Sequence, residues 1–238
     1  ISKGGGVFSR SAKSIPLSPE ARAIIGTTAE ELPPLELLKA ILQAPVDLLY
    51  NGGIGTYVKA SFETHAQVGD KSSDAYRVNG GELRCKVLAE GGNLGCTQNG
   101  RIEFAQKGGL IYTDAIDNSA GVDCSDHEVN IKILLGGVVE AGDLTLKQRN
   151  DLLASMTEEV GHLVLQDNYY QGQALNVAKY RPLYVLDGQQ RLMQSLEASK
   201  RLNRAIEFLP NDEEIASRRA HKVGLTAPEN AVVLAYAK

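Results

Sequence analysis

The residues able to do chemistry in this chain crowd into positions 84–135. An apolar run at 85–89 breaks at Gly91-Gly92, whose missing Cβ atoms let a backbone turn sharply and approach a ligand closely. Asn93 follows with an amide, a group that donates and accepts at once. Farther on, beyond Asp114, come Asn118, Asp123, Cys124, Ser125, Asp126, His127 and Glu128. His127 beside Asp126 has the composition of an acid–base pair. Acids that merely offset a helix dipole explain the same cluster more simply. The other polar residues also have plain readings. Asn93 could cap its own turn, Asn118 could cap a following helix, and Ser125 could be a solvated helical serine.

Several chemistries lack the residues they need. A pyrophosphate cradle is built from backbone N–H groups at a helix start, usually within G-x-G-x-x-G. Gly53-x-Gly55 has no third glycine, Gly92-x-x-Gly95 follows the wrong local order, and no G-x-x-x-x-G-K-S/T loop occurs. The three cysteines, Cys85, Cys96 and Cys124, are odd in number and widely spaced, which argues against a disulfide framework or a zinc site. Their favoured reading is as small buried apolar residues. His65, His127, His162 and His221 show no ligand spacing, so no metal is expected. With 43% apolar and 23% charged residues the composition is that of a globular protein. The net charge of −4 makes nucleic acid and anionic membranes poor partners. No apolar run approaches the ~20 residues that span a bilayer. Residues 1–6 do not resemble a cleavable leader, so a cytoplasmic chain is expected, and the start inside a glycine run suggests a piece of something longer.

The elements that must position these residues follow from punctuation and periodicity. A strand at 85–89, a helix over roughly 98–107 capped by Thr97 and stopped at Gly108, and a second strand at 110–112 are predicted. A polar loop at 117–128 then precedes an apolar helical run at 129–139. Upstream, Ser18 and Pro19 start a short helix that stops at Gly26. Leu35, Leu38, Ile41 and Leu42 mark a helix over about 34–43, and a strand at 46–50 turns at Asn51-Gly52-Gly53. Residues 56–81 read as a long loop with one helical turn, the kind of segment that is functional or inserted. The ends of the strands at 85–89 and 110–112 thus release polar loops at one edge of a parallel sheet, where open α/β sheets bind ligands.

The expected fold class is α/β: a partial Rossmann-like doubly wound sheet, the second half of a dinucleotide-binding domain, over residues 1–142. An all-helical C-terminal region over 143–238 follows. Thr145 and Gln148 open a helix to about 168, another runs over 183–205, Asn211 or Asp212 caps a third, and Thr226 to Glu229 starts a fourth.

The order Glu90-Gly91-Gly92-Asn93, Thr97, Asp114, Asn118-Ser119-Ala120-Gly121-Val122 and Ser125 resembles the glutamate dehydrogenase superfamily. There an EGAN…TT segment precedes a PD…NAGGVxxS segment in the cofactor domain. The wording of 118–135 and of 224–238 is closer to the large bacterial NAD-specific glutamate dehydrogenases, and the likeness covers nearly the whole chain.

That resemblance implies NAD as cofactor, L-glutamate and 2-oxoglutarate as substrates, the remainder of a longer polypeptide as partner, and a homo-oligomer. It implies cofactor contact at Asn51, Gly52, Gly53 and Asn93. It places Asn118 near both nicotinamide and substrate, and gives Ser125 a substrate carboxylate. The glycine fingerprint and the catalytic lysines and acid would lie in polypeptide before this chain, so none of its own residues is expected to be catalytic and alone it should be inactive. Ser119-Ala120 and Asp126-His127 depart from the family pattern and put finer substrate contacts in doubt. Two rival readings are a non-catalytic assembly module, suggested by the broad apolar helix faces after 143, and a leucine or phenylalanine dehydrogenase.

Overall fold

Local capping chemistry sets most element boundaries in the computed structural model, which describes residues 1–238. A short antiparallel pair, β1 (Ile15–Pro16) with β2 (Glu31–Leu32), brackets α1 (Pro19–Ile25), whose N-cap Ser18 accepts from the Ala21 N–H. Helix α2 (Pro34–Leu42) leads into β3 (Leu48–Asn51). The stretch expected as one long loop is instead tied down by β4 (Val58–Lys59), α3 (His65–Val68) and β5 (Val78–Asn79), with two 3₁₀ turns. Buried Arg77 organises it, donating to the Thr56 carbonyl at 2.7 Å and to Asp74 and His65.

The strand at the centre, β6 (Val87–Glu90), pairs in parallel with β3 through Leu48–Val87 to Asn51–Glu90. On its other side Val87 makes a single parallel bridge to Leu110, so residues 110–112 lie as an extended segment and not as a full strand. β4 pairs in parallel with β5 and bridges Cys96. The strands therefore form small two-stranded sheets within a mixed α/β chain.

Helix α4 (Gln98–Gln106) begins at Thr97, whose hydroxyl accepts from the Gly100 N–H at 2.9 Å. After the one-turn α5 (Asp114–Asp117) comes the largest departure from expectation. The polar stretch 117–128 is not a loop: α6 runs unbroken over Ser119–Glu140. No residue of α6 is buried, so nothing in its first half needs to be apolar. The helix opened by Thr145 also differs, splitting at Met156 into α7 (Leu146–Ser155) and α8 (Thr157–Tyr180). Helices α9 (Pro182–Ala198), α10 (Asp212–Ala220) and α11 (Ala227–Ala237) complete an all-helical C-terminal part.

Three apolar clusters hold this together. Val58, Val78, Leu88, Cys96, Phe104 and Ile111 pack around β6. Leu186, Met193, Leu196, Ile215 and Val233 fill the interior of the helical part. Between them Ile116, Leu175 and Ala231 pin the turn before α6 onto α8 and α11. That small joint fixes the start of α6 beside the carboxyl ends of β3 and β6.

Candidate functional site

The ends of β3 and β6 are coupled through one carbonyl. The Asn51 oxygen accepts from the Gly91 N–H at 2.8 Å and the Gly92 N–H at 3.1 Å. The two turns interlock closely: a Cβ on Gly92 would sit 2.7 Å from the Gly53 carbonyl oxygen, and one on Gly95 would sit 1.7 Å from Asn51 Nδ2. Asn51 Oδ1 accepts from the Gly53 N–H at 3.3 Å, while its buried Nδ2 has no partner. Gly52 and Gly53 are exposed at the tip.

Beneath the 90–97 turn lies a buried ionic network. Glu90 is fully buried; its two carboxylate oxygens accept from Arg101 Nε at 2.6 Å and Nη2 at 3.0 Å, and Oε1 also accepts from the Cys96 N–H. Arg101 reaches Asp114 as well, at 3.2 Å. Asp114 Oδ2 accepts from the Leu94 N–H at 2.7 Å, and Asp117 Oδ2 accepts from the Glu90 N–H at 2.8 Å. Burial, reinforced by the Glu90 charge, pushes the Asp117 carboxyl up to about 6. Burial also raises the Cys96 thiol well above its ordinary value, which makes it a packing residue and not a nucleophile.

Above this network opens a cavity of about 950 Å³. Its walls are the turn at Asn93 and Leu94, the α6 face carrying Asn118, Val122 and Asp126, and part of α8, with Leu234 and Lys238 closing one end. Asn118 Nδ2 donates to Asn93 Oδ1 at 2.7 Å, so two of the residues singled out in the sequence meet at the wall. Asn118 does not use its side chain as a helix cap. Ser125 is exposed on α6, one turn past Val122, and is not among the residues lining the cavity. Asn51 lines a separate, apolar cavity of about 250 Å³ between α2 and the sheet. His127 pairs with Asp123 one turn back and not with Asp126; the Asp123 carbonyl, which Nδ1 meets at 2.9 Å, raises its basicity.

Arg101 was not singled out in the sequence. Its only signal is a cationic residue between Gly100 and Ile102 on a face of α4 that is otherwise buried.

A cavity of this size beside the carboxyl ends of parallel strands, walled by paired amides over a buried ionic floor, is the arrangement of a small-molecule site in an α/β protein. Residues 1–178 match the family described as bacterial NAD-glutamate dehydrogenase, catalytic domain. Over its whole length the chain is 59% identical to the NAD-specific glutamate dehydrogenase of Pseudomonas aeruginosa and 55% identical to that of Halomonas elongata. It is 50% identical to the enzyme of the same name from Mycobacterium tuberculosis. The chain belongs to the bacterial NAD-glutamate dehydrogenase family. It spans about 15% of the length of each of these relatives.

Proposed function

We propose that this chain is one wall of the active site of an NAD-dependent glutamate dehydrogenase. The reaction is oxidative deamination of L-glutamate to 2-oxoglutarate and ammonia, carried out by a longer polypeptide. The observation that carries this reading is the Asn93–Asn118 contact at the rim of the large cavity, in a chain 59% identical to a relative of that name. Amides suit the role because they can orient a carboxamide and ribose hydroxyls without adding charge.

The residues fit part of a dinucleotide. Asn51 carries a buried donor without a partner, and the 51–53 and 91–95 turns approach so closely that side chains are excluded between them. Bound NAD would supply the hydride acceptor. This chain's residues would orient it: Asn51, Gly52, Gly53 and Asn93 on the cofactor side, with Asn118 bordering both ligands. Ser125 would hydrogen-bond a substrate carboxylate, reaching it when the missing polypeptide deepens the cavity. Holding donor and acceptor carbons in near-attack geometry is the contribution expected of such a wall.

The electrostatics support a site completed by other polypeptide. Asp114, Asp123, Asp126 and Asp167 line the cavity and Lys238 is its one cation, an unsuitable balance for a dicarboxylate. Cations for glutamate would then come from outside this chain, as would the catalytic acid and lysines that the family resemblance places before it. β3 pairs with β6 on one side, and the face of β3 that carries Leu48 and Tyr50 is exposed, which supports the reading of a doubly wound sheet completed by other polypeptide. Exposed Ile133, Leu134, Leu146 and Leu165 on the helical part are suited to contacts with the rest of a homo-oligomeric enzyme.

The test is NAD reduction by the intact protein with glutamate or leucine. Glutamate turnover without leucine turnover is the expected result, and the reverse would assign the chain to another amino-acid dehydrogenase. Ser125→Ala in the intact enzyme should raise the KM for glutamate and lower kcat/KM. Unchanged kinetics would remove Ser125 from the site.

A further inference from the structure

Leu94 is the residue of the site with the least natural backbone. Its φ is +58°, the left-handed region in which a side chain crowds its own carbonyl and glycine is the usual occupant. Packing does not hold it there, because its side chain is two-thirds exposed. Two hydrogen bonds do. Its N–H donates to Asp114 Oδ2 at 2.7 Å, and its carbonyl accepts from Thr56 Oγ1 at 2.8 Å. Asp114 is itself fixed, with Oδ1 accepting from the Ala115 N–H at 2.9 Å and facing Arg101 Nη2 at 3.2 Å. Arg101 in turn is clamped by Glu90. Asn93, the residue before Leu94, is thereby carried to its 2.7 Å contact with Asn118.

We propose that Asp114 is a positioning residue of the dehydrogenase site: it holds Leu94 in the left-handed conformation and so sets Asn93 against Asn118 at the cavity wall. The inference rests on the reading of that wall as the cofactor and substrate site. Both Asp114 oxygens accept from N–H donors. An amide in its place could keep its oxygen on the Leu94 N–H only by setting its own NH2 against the Ala115 N–H and Arg101, so Asn cannot reproduce both sides of the clamp.

The experiment uses the intact enzyme. Wild-type turnover of glutamate with NAD tests the reading of the site by itself; absence of turnover overturns that reading, and with it this inference. Given turnover, Asp114→Asn is expected to raise the KM for NAD about tenfold, a loss commensurate with the steric penalty of the unsupported backbone. Leu94→Gly alone is the reference for the double variant, since glycine adopts this conformation unaided. The double variant Asp114→Asn, Leu94→Gly should recover most of the loss. An Asp114 needed only for folding would lower thermal stability, and glycine at 94 would not restore KM. A double variant as impaired as Asp114→Asn, or an Asp114→Asn enzyme with wild-type KM, overturns the proposal. Should Asp114→Asn fail to fold, Leu94→Val decides. Its β-branch disfavours the left-handed region while leaving the ionic network whole, so a raised KM for NAD supports the proposal and a wild-type KM contradicts it.

Discussion

Two buried carboxylate–guanidinium pairs, one in each half of the molecule, use the same chemistry for different ends. In the helical part Arg218 donates from both Nη atoms to Glu229, each at 2.7 Å, and Glu229 is 1% exposed. Glu229 also accepts from the N–H and hydroxyl of Thr226, so the pair seals the start of α11 against an apolar interior. Neither Arg218 nor Glu229 carries an unmatched buried polar atom, and Thr226 has ordinary capping geometry. Glu90 and Arg101 are as deeply buried, but they lie under a turn with a left-handed leucine, exposed amides and an unmatched Asn51 donor. One half closes its ionic pair into a finished structure. The other uses its pair to hold up a turn that carries an unmatched donor and exposed amides at the cavity wall.

The comparison is most sharply broken by removing each carboxylate in turn. Glu90→Gln and Glu229→Gln each weaken the charge pairing of a guanidinium held out of bulk water, with Arg101 keeping Asp114 and Arg218 a fifth exposed, so each should cost up to about 3–5 kcal/mol in denaturant unfolding. Only Glu90→Gln should also lower kcat/KM in the intact enzyme beyond what loss of folded protein explains. Equal kinetic effects would mean that the two pairs are both structural.

A smaller effect separates the halves by pH. The Asp117 carboxyl rises from 3.8 to about 6, so the folded state holds the proton more tightly than the unfolded one. Its contribution to stability is complete below pH 3.8 and is lost as pH rises through about 6. By the size of that shift the loss is about 2–3 kcal/mol. Asp212 slopes the other way: hydrogen bonds from Arg204, Gln194 and Gln190 hold its carboxyl well below the usual range, so its contribution is present at neutral pH and lost in acid. Urea midpoints at pH 4.5 and 6.5 should converge in Asp117→Asn and not in Asp212→Asn. Parallel behaviour of the two variants would contradict the assignment.

The smallest difference concerns caps. Thr97→Ala and Thr226→Ala each remove an N-cap hydroxyl, worth about 1 kcal/mol. Each hydroxyl also donates to a carboxylate, Thr97 to half-buried Glu63 and Thr226 to buried Glu229, so the Thr226 loss should be the larger of the two by thermal unfolding. Equal shifts would show that burial of the acceptor adds nothing.

What the sequence disclosed follows the same division. Caps at Ser18, Thr97, Thr145, Asn211 and Thr226 were legible because each depends on residues within three positions. The glycine turns after β3 and β6 were legible too, from apolar runs that end in glycine, but the pairing of those two strands was not, since no local signal names a strand's neighbour. Unsatisfied by any local rule, the Glu90–Arg101–Asp114 network stayed hidden, since it joins residues that meet only once the strand end and α4 pack together. The left-handed Leu94 had no glycine to announce it. The first half of α6 reads as a loop in the sequence because an unburied helix needs no apolar stripe. The break at Met156 lacks both glycine and proline, the residues that usually announce one.

The most direct test of the account is a double-mutant cycle on Asn93 and Asn118 in the intact enzyme, read as kcat/KM with glutamate and NAD. If the two amides form one wall, Asn93→Ala and Asn118→Ala should each lower kcat/KM about tenfold or more, and the double variant should lose little beyond the worse single. Wild-type kinetics in either single variant, or losses that simply multiply, would show that these amides do not act together on the reaction.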